Sequence, residues 1–185
     1  MFHHNKMRKT LVVTAASCLL AVASFAQSSV PSQNRVTADP VPTVSVRAGR
    51  TAPISFTFHI QQGYHVNSNK PLTPELIPTQ VGFSPPPDLV IAKMQYPAAQ
   101  LMSFPFDPTE KLSVYSGEIT VKAVVIAQPS TRPGPYTVHG ELKYQACDNN
   151  ACYPPKKLPV DFTVKVGKGV SRRRSGNAQS PHIHN

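Results

Sequence analysis

Apolar and polar residues alternate through the middle of the chain. Ile54, Phe56, Phe58 and Ile60 fall on one side of an extended backbone, with Ser55, Thr57 and His59 between them. That period of two is the mark of a half-buried strand. Glu118–Ala127 is rich in β-branched residues, and Tyr136–Ala146 and Leu158–Val166 also read as strands. No window carries a 3.6-residue period. All 20 prolines lie beyond the first 26 residues, a density that leaves little room for helices. Short strands separated by Pro/Gly turns predict an all-β chain built as a β-sandwich. Without tryptophan, and without cysteines spaced to join two sheets, an antibody-type domain is not implied. Two long proline-rich connections interrupt the strands, Asn67–Pro78 and Tyr96–Pro108. Such loops either carry function or only join sheets.

The ends of the chain have a different character. Lys6, Arg8 and Lys9 precede an uncharged apolar run, Leu11–Ala23, closed by Ser24-Phe25-Ala26. This is the three-part pattern of a secretory signal, expected to span residues 1–26. The run is shorter than the roughly 20 residues that cross a bilayer, so cleavage is expected rather than anchoring, with no membrane span afterwards. Cys18 lies inside the run and is assigned to the discarded peptide, not to a lipid attachment site. Residues 27–40 read as a polar linker, 41–166 as one domain and 167–185 as a disordered basic tail. His182 and His184 on that tail make a weak metal site. The predicted location is the periplasm or another extracytoplasmic space.

These end pieces account for the charge. The whole chain is +10. Without Lys6, Arg8 and Lys9 it is +7, and without Lys168 and Arg172, Arg173 and Arg174 it is +3. A domain with so small an excess gives no argument for a nucleic-acid partner, and the three tail arginines read as a solvated run.

Two cysteines remain after the signal, an even count suited to one disulfide in an oxidising compartment. They lie in Tyr144-Gln-Ala-Cys147-Asp-Asn-Asn-Ala-Cys152-Tyr-Pro-Pro155. Asp148-Asn149-Asn150 is turn chemistry. A hairpin would place Cys147 and Cys152 opposite each other, with Cα atoms about 4.5–5.5 Å apart, within the range that a disulfide accepts. Pro154 and Pro155 lack amide hydrogens and keep the mouth of this hairpin at a sheet edge. Closing so small a loop restricts the unfolded chain by only about 2 kcal/mol in the chain-entropy model. A staple and a redox switch both remain open on spacing. With no following helix, and no Lys or Arg within three residues of either cysteine, a strongly acidic thiol is not predicted. A third reading, two thiolates with His65 or His139 holding copper or zinc, lacks a second ligand pair.

The segment YQACDNNACYPPKKLPVDFTV resembles the active hairpin of the amino-terminal periplasmic domain of the thiol:disulfide interchange protein DsbD, and GYHVNSNKPLTPELIPT resembles an early strand and loop of stand-alone members of that family. The resemblance covers Val41–Val166 and implies an immunoglobulin-like sandwich. It implies a protein-disulfide reductase or interchange component that needs no cofactor and no metal. Such a domain takes electrons from a membrane-embedded thiol reductase and passes them to periplasmic thioredoxin-like proteins through mixed disulfides. Cys152 is then the sulfur attacked and Cys147 the one that resolves. Phe104 or Phe106 is the expected cap over the pair, with plain core packing as the alternative for Phe104, Phe106 and Tyr64. Tyr64, His65, Asn67 and Tyr153 complete the expected surroundings, with His65 and Asn67 standing where the family places aromatic groups. His65 either aids proton transfer or is a solvent-facing strand histidine. Full-length family members continue into a membrane domain and a thioredoxin domain, so a separate membrane protein is expected to supply electrons here. The alternative function is a non-enzymatic sandwich that binds a partner through its loops.

Overall fold

The computed structural model describes residues 34–105 and 107–169. They fall in one compact unit, Gln33–Asn185. The expected signal with Cys18, and the tail with its arginines and histidines, lie outside the described residues.

The alternating segment forms strand β3 (Thr51–Ile60), whose Ile54, Phe56, Phe58 and Ile60 are all buried. It pairs antiparallel with β9 (Glu118–Ala127), from Thr51↔Ile126 to His59↔Glu118. Strand β1 (Val36–Ala38) flanks β3 and β6 (Leu89–Gln95) flanks β9, which completes the first layer. The second layer is organised by β10 (Gly134–Tyr144). Its first half pairs with β13 (Phe162–Gly167) and its second half with β12 (Lys156–Pro159). Strand β2 (Val44–Arg47) runs parallel to β13, and β5 (Gln80–Ser84) takes the other edge of β10. Phe56 meets Phe162 at 5.6 Å and Phe83 at 4.8 Å between ring centres, and these contacts lie in the core between the layers. The protein is all-β, with an immunoglobulin-like β-sandwich. Among the described residues no helix is long and apolar enough to cross a membrane.

A third, smaller sheet positions the cysteines. Its order is β11 (Ala146–Cys147), β4 (His65–Asn67), β8 (Asp107–Tyr115), β7 (Gln100–Phe104). Three of its strands each continue a long strand of the sandwich across a break. Strand β3 leads to β4 through a turn at Gly63, β8 leads to β9 through Gly117, and β10 leads to β11 across Gln145. Both glycines have positive φ, 83° and 67°, a region most side chains avoid. The Ile60 N–H donates to the Gly117 carbonyl at 2.8 Å and links two of the breaks.

Several boundaries differ from the sequence reading. Residues 27–40 are not linker throughout, because Val36 within β1 is 1% exposed and its burial draws the segment onto β3. Leu158–Val166 is two strands. The Val160 N–H turns to the Gly140 carbonyl at 2.8 Å, and the Asp161 carboxylate accepts from the Gly140 N–H at 3.1 Å, which shifts the chain between β12 and β13. Tyr136–Ala146 breaks at Gln145, whose side chain donates to the Tyr153 carbonyl. Tyr96–Pro108 is largely a β7–β8 hairpin rather than a loop. Pro97 precedes its first strand and Pro105 sits in its turn, where no ladder amide is lost. Asn67–Pro78 is irregular beyond Asn67, as expected.

Gly140 is required by close approach. A Cβ there would run into the Phe83 ring opposite and come within 2.9 Å of the Val160 carbonyl oxygen. Gly140→Ala is expected to destabilise by about 1–3 kcal/mol through overpacking. A lower urea midpoint with an unchanged slope is the sign to look for; an unchanged midpoint would show that the β5–β10 contact is loose.

Candidate functional site

Cys147 and Cys152 face each other in a hairpin and are joined, with S–S 2.02 Å and Cα atoms 4.0 Å apart. The spacing is shorter than that of an ordinary opposed pair, and the ladder explains the direction of the difference. The Asp148 N–H donates to the Ala151 carbonyl and the Tyr153 N–H to the Ala146 carbonyl, each at 2.9 Å. The cysteines therefore occupy a non-hydrogen-bonded position between two bonded ones, where antiparallel strands come closest. The pair is asymmetric. Cys147 is 1% exposed, whereas Cys152 is exposed at the open side of the hairpin.

Asp148 organises the turn. Its Oδ1 accepts from the N–H groups of Asn150 at 2.8 Å and Ala151 at 2.9 Å, and its Oδ2 accepts from the Tyr153 hydroxyl at 2.7 Å. These bonds favour the charged form. Chiefly the Tyr153 hydroxyl, then the two amides, hold the Asp148 carboxyl below its usual 3.8. The same bond pushes the Tyr153 hydroxyl above its usual 10.0.

Cys147 is directly opposite His65 across β4–β11, and Ala146 is opposite Val66. His65 is 3% exposed, so the solvent-facing alternative does not hold; the β7–β8 hairpin folds over it. Phe104 stacks on its ring at 4.0 Å and 20°, and Phe104 itself packs with Leu112, Val114 and Leu76. Phe104 thus covers His65, the residue opposite Cys147, and fills a small core. Phe106 lies outside the described residues. Burial lowers the His65 pKa from its usual 6.5, with the Asp148 charge acting the other way. Tyr64 packs against Tyr153, 6.0 Å between ring centres, and also against the main core. Asn67 is buried beside the site, but its amide donates to the Ile77 carbonyl at 3.0 Å and closes the Asn67–Pro78 loop. His139 is on β10, in another sheet, bonded to Asp161 at 3.1 Å. Among the described residues no group of three or more His, Cys, Asp or Glu side chains could hold a metal ion.

Arg35 was not legible as a site residue. Sequence distance from the cysteines hid it, although folding places its guanidinium 3.5 Å from the centre of the Tyr153 ring and 5.1 Å from that of Tyr64. No Lys or Arg lies within three residues of either cysteine in sequence, yet folding brings a cation over the residue next to Cys152. An Arg immediately before a short strand carries no local signal for such a contact.

Residues 32–163 match the family model described as thiol:disulfide interchange protein DsbD, N-terminal. The chain belongs to this family. Among solved structures, the DsbD amino-terminal domain of Neisseria meningitidis in its reduced form is similar at 20% identity, over 68% of this chain and 85% of that one, with a TM-score of 0.41. The amino-terminal periplasmic domain of ScsB from Proteus mirabilis is similar at 12% identity, over 71% of this chain and 47% of that one, with a TM-score of 0.48. A type I cohesin from Pseudobacteroides cellulosolvens is similar at 10% identity, over 80% and 98%, with a TM-score of 0.43. No curated protein matches the chain in sequence. A DsbD amino-terminal domain with a Cys147–Cys152 disulfide fits thiol–disulfide exchange.

The Asp148 turn yields a pH prediction. Because the folded carboxyl titrates below its usual value, the turn's stabilisation is fully present above about pH 4 and fades as pH falls through the lowered value. The amide resonances of Asn150 and Ala151 should follow a single titration below 3.8, and Asp148→Ala should abolish it and speed exchange of both amides. Amides that titrate at the ordinary value would mean that these hydrogen bonds do not persist in solution.

Proposed function

We propose that this chain exchanges its Cys147–Cys152 disulfide with partner thiols in the periplasm or another extracytoplasmic space. In this reading it relays electrons from a membrane-embedded thiol reductase to thioredoxin-like proteins. The observation that carries the proposal is the unequal exposure of the two sulfurs' residues, Cys147 at 1% and Cys152 open to solvent. Exchange begins with attack of a thiolate on one accessible sulfur. A partner thiolate bonds to Cys152 Sγ, the Sγ–Sγ bond breaks, and Cys147 Sγ leaves with the electron pair. In the reverse sequence the Cys147 thiolate attacks Cys152 Sγ and the partner's sulfur departs. The membership in the DsbD amino-terminal family supports this chemistry. The basic, then apolar, pattern of residues 1–26 supports the location.

Phe104, Tyr64 and Tyr153 are assigned supporting roles around the pair, with Phe104 the cap. Asn67 is assigned to shaping the loop beside it. A relay that awaits a partner's thiolate is favoured over a strong oxidant, because among the described residues no helix N-terminus faces either sulfur.

Two measurements test the proposal. Glutathione titration with mass readout should place the pair between about −180 and −270 mV, the span of exchange proteins; a value below about −300 mV would indicate a passive disulfide in a binding module. Cys147→Ala should accumulate a mixed disulfide through Cys152 with a thioredoxin-like protein, whereas Cys152→Ala should trap at least about tenfold less, because access governs the rate. Equal trapping by both variants would remove the assigned order of attack.

A further inference from the structure

Opening the disulfide leaves a sulfur in a place poorly suited to charge. Cys147 is 1% exposed, and a thiolate released there loses hydration unless a donor replaces it. The same surroundings hold a polar atom with the matching deficiency. His65 Nε2 is buried and has no hydrogen-bond partner among the described residues. Most buried polar groups have one, and an orphan is destabilising. His65 and Cys147 are opposed in the β4–β11 ladder, and opposed side chains stand on one face with Cβ atoms about 4.5–5.5 Å apart. Phe104, stacked on the imidazole at 4.0 Å, restrains the ring in that position.

The geometry points to His65 as the group that receives the leaving Cys147 sulfur, with Nε2–H donating a hydrogen bond to the thiolate. This deepens the exchange function proposed above and rests on it. In the opening step the partner sulfur is oxidised from thiolate to disulfide, and Cys147 Sγ takes the electron pair of the broken bond. No proton moves. The Nε2–H group gains its acceptor only as the bond breaks. An interaction made after cleavage and absent before it lowers the barrier to opening, rather than holding the oxidised pair together.

The surroundings of the ring are compatible with this role. Burial favours the neutral imidazole, which carries one N–H. Asp148 on the cysteine turn is the charged group that acts on it. Strand β7 brings Phe104, and β8 brings Val114, opposite Asn67, neither of them ionisable. The Arg35 cation stands over Tyr153 and Tyr64, on the neighbours of Cys152 and His65.

Cys152→Ser isolates Cys147, and its thiol can be titrated by thiolate absorbance and by alkylation rate. In that background His65→Phe, which keeps the stack on Phe104, should raise the Cys147 titration by about one pH unit, equivalent to about tenfold less thiolate at a given pH below it. His65→Gln, which keeps an N–H, should fall between the two. Coincident titrations in all three proteins would overturn the assignment. Should His65→Phe fail to fold, the histidine nitrogen resonances of the unmodified chain decide, because Nε2 must shift on reduction of the pair; an unmoved resonance overturns the assignment as well. A potential outside the exchange range would sink the exchange reading while leaving the thiol titration readable, so the two ideas fail separately.

Discussion

The cysteine hairpin depends on one short ladder, in which Ala146 pairs with Val66 and Cys147 with His65. Strand β4 is the continuation of a long strand from one layer, and β11 continues a long strand from the other. Their pairing joins the two layers at one end of the sandwich. Val66 and Ala146 anchor it, 1% and 3% exposed within the main core. Because alternate residues of a strand point to opposite faces, anchoring those two turns His65 and Cys147 to the other face. The hydrophobic core thus sets the direction in which the cysteine pair points.

The hairpin itself divides along the same alternation. Cys152 points toward Cys147, and the adjacent Tyr153 points away, to Asp148 and Arg35. Asp148 accepts three hydrogen bonds and fixes the turn, so the four residues between the cysteines do not need the disulfide to define their path. Arg35 ties this side of the hairpin to the chain before β1, where its carbonyl accepts from the Gln61 N–H at 2.9 Å. The first described residues therefore hold the turn that precedes β4, a role at odds with a plain linker.

Much of the fold was legible because burial on a pleated strand writes a period of two. β9 has its expected bounds for that reason, β3 contains the expected Ile54–Ile60 alternation but begins three residues earlier at Thr51, and Cys147 and Cys152 fall where Asp148-Asn149-Asn150 makes a turn. The β7–β8 hairpin was not legible. Leu101 and Met102 are exposed on its edge, so no alternating pattern marks that strand, and the prolines around it read as loop. Strand β1 was hidden by its length, since three residues cannot show a period.

The site divides the same way. By itself the sequence determined the all-β class, the family through its Cys-Tyr-Pro-Pro hairpin, and the cysteine pair across its turn. These are local properties: turn residues, alternation and spacing act over a few positions. Tertiary structure alone decided that Cys147 is buried and Cys152 open, that Phe104 lies on His65, and that Arg35 stands over Tyr153. Each of these contacts joins residues from separate strands or segments. Burial and charge at a site are sums over everything packed around it, and that sum exists only once the layers have closed.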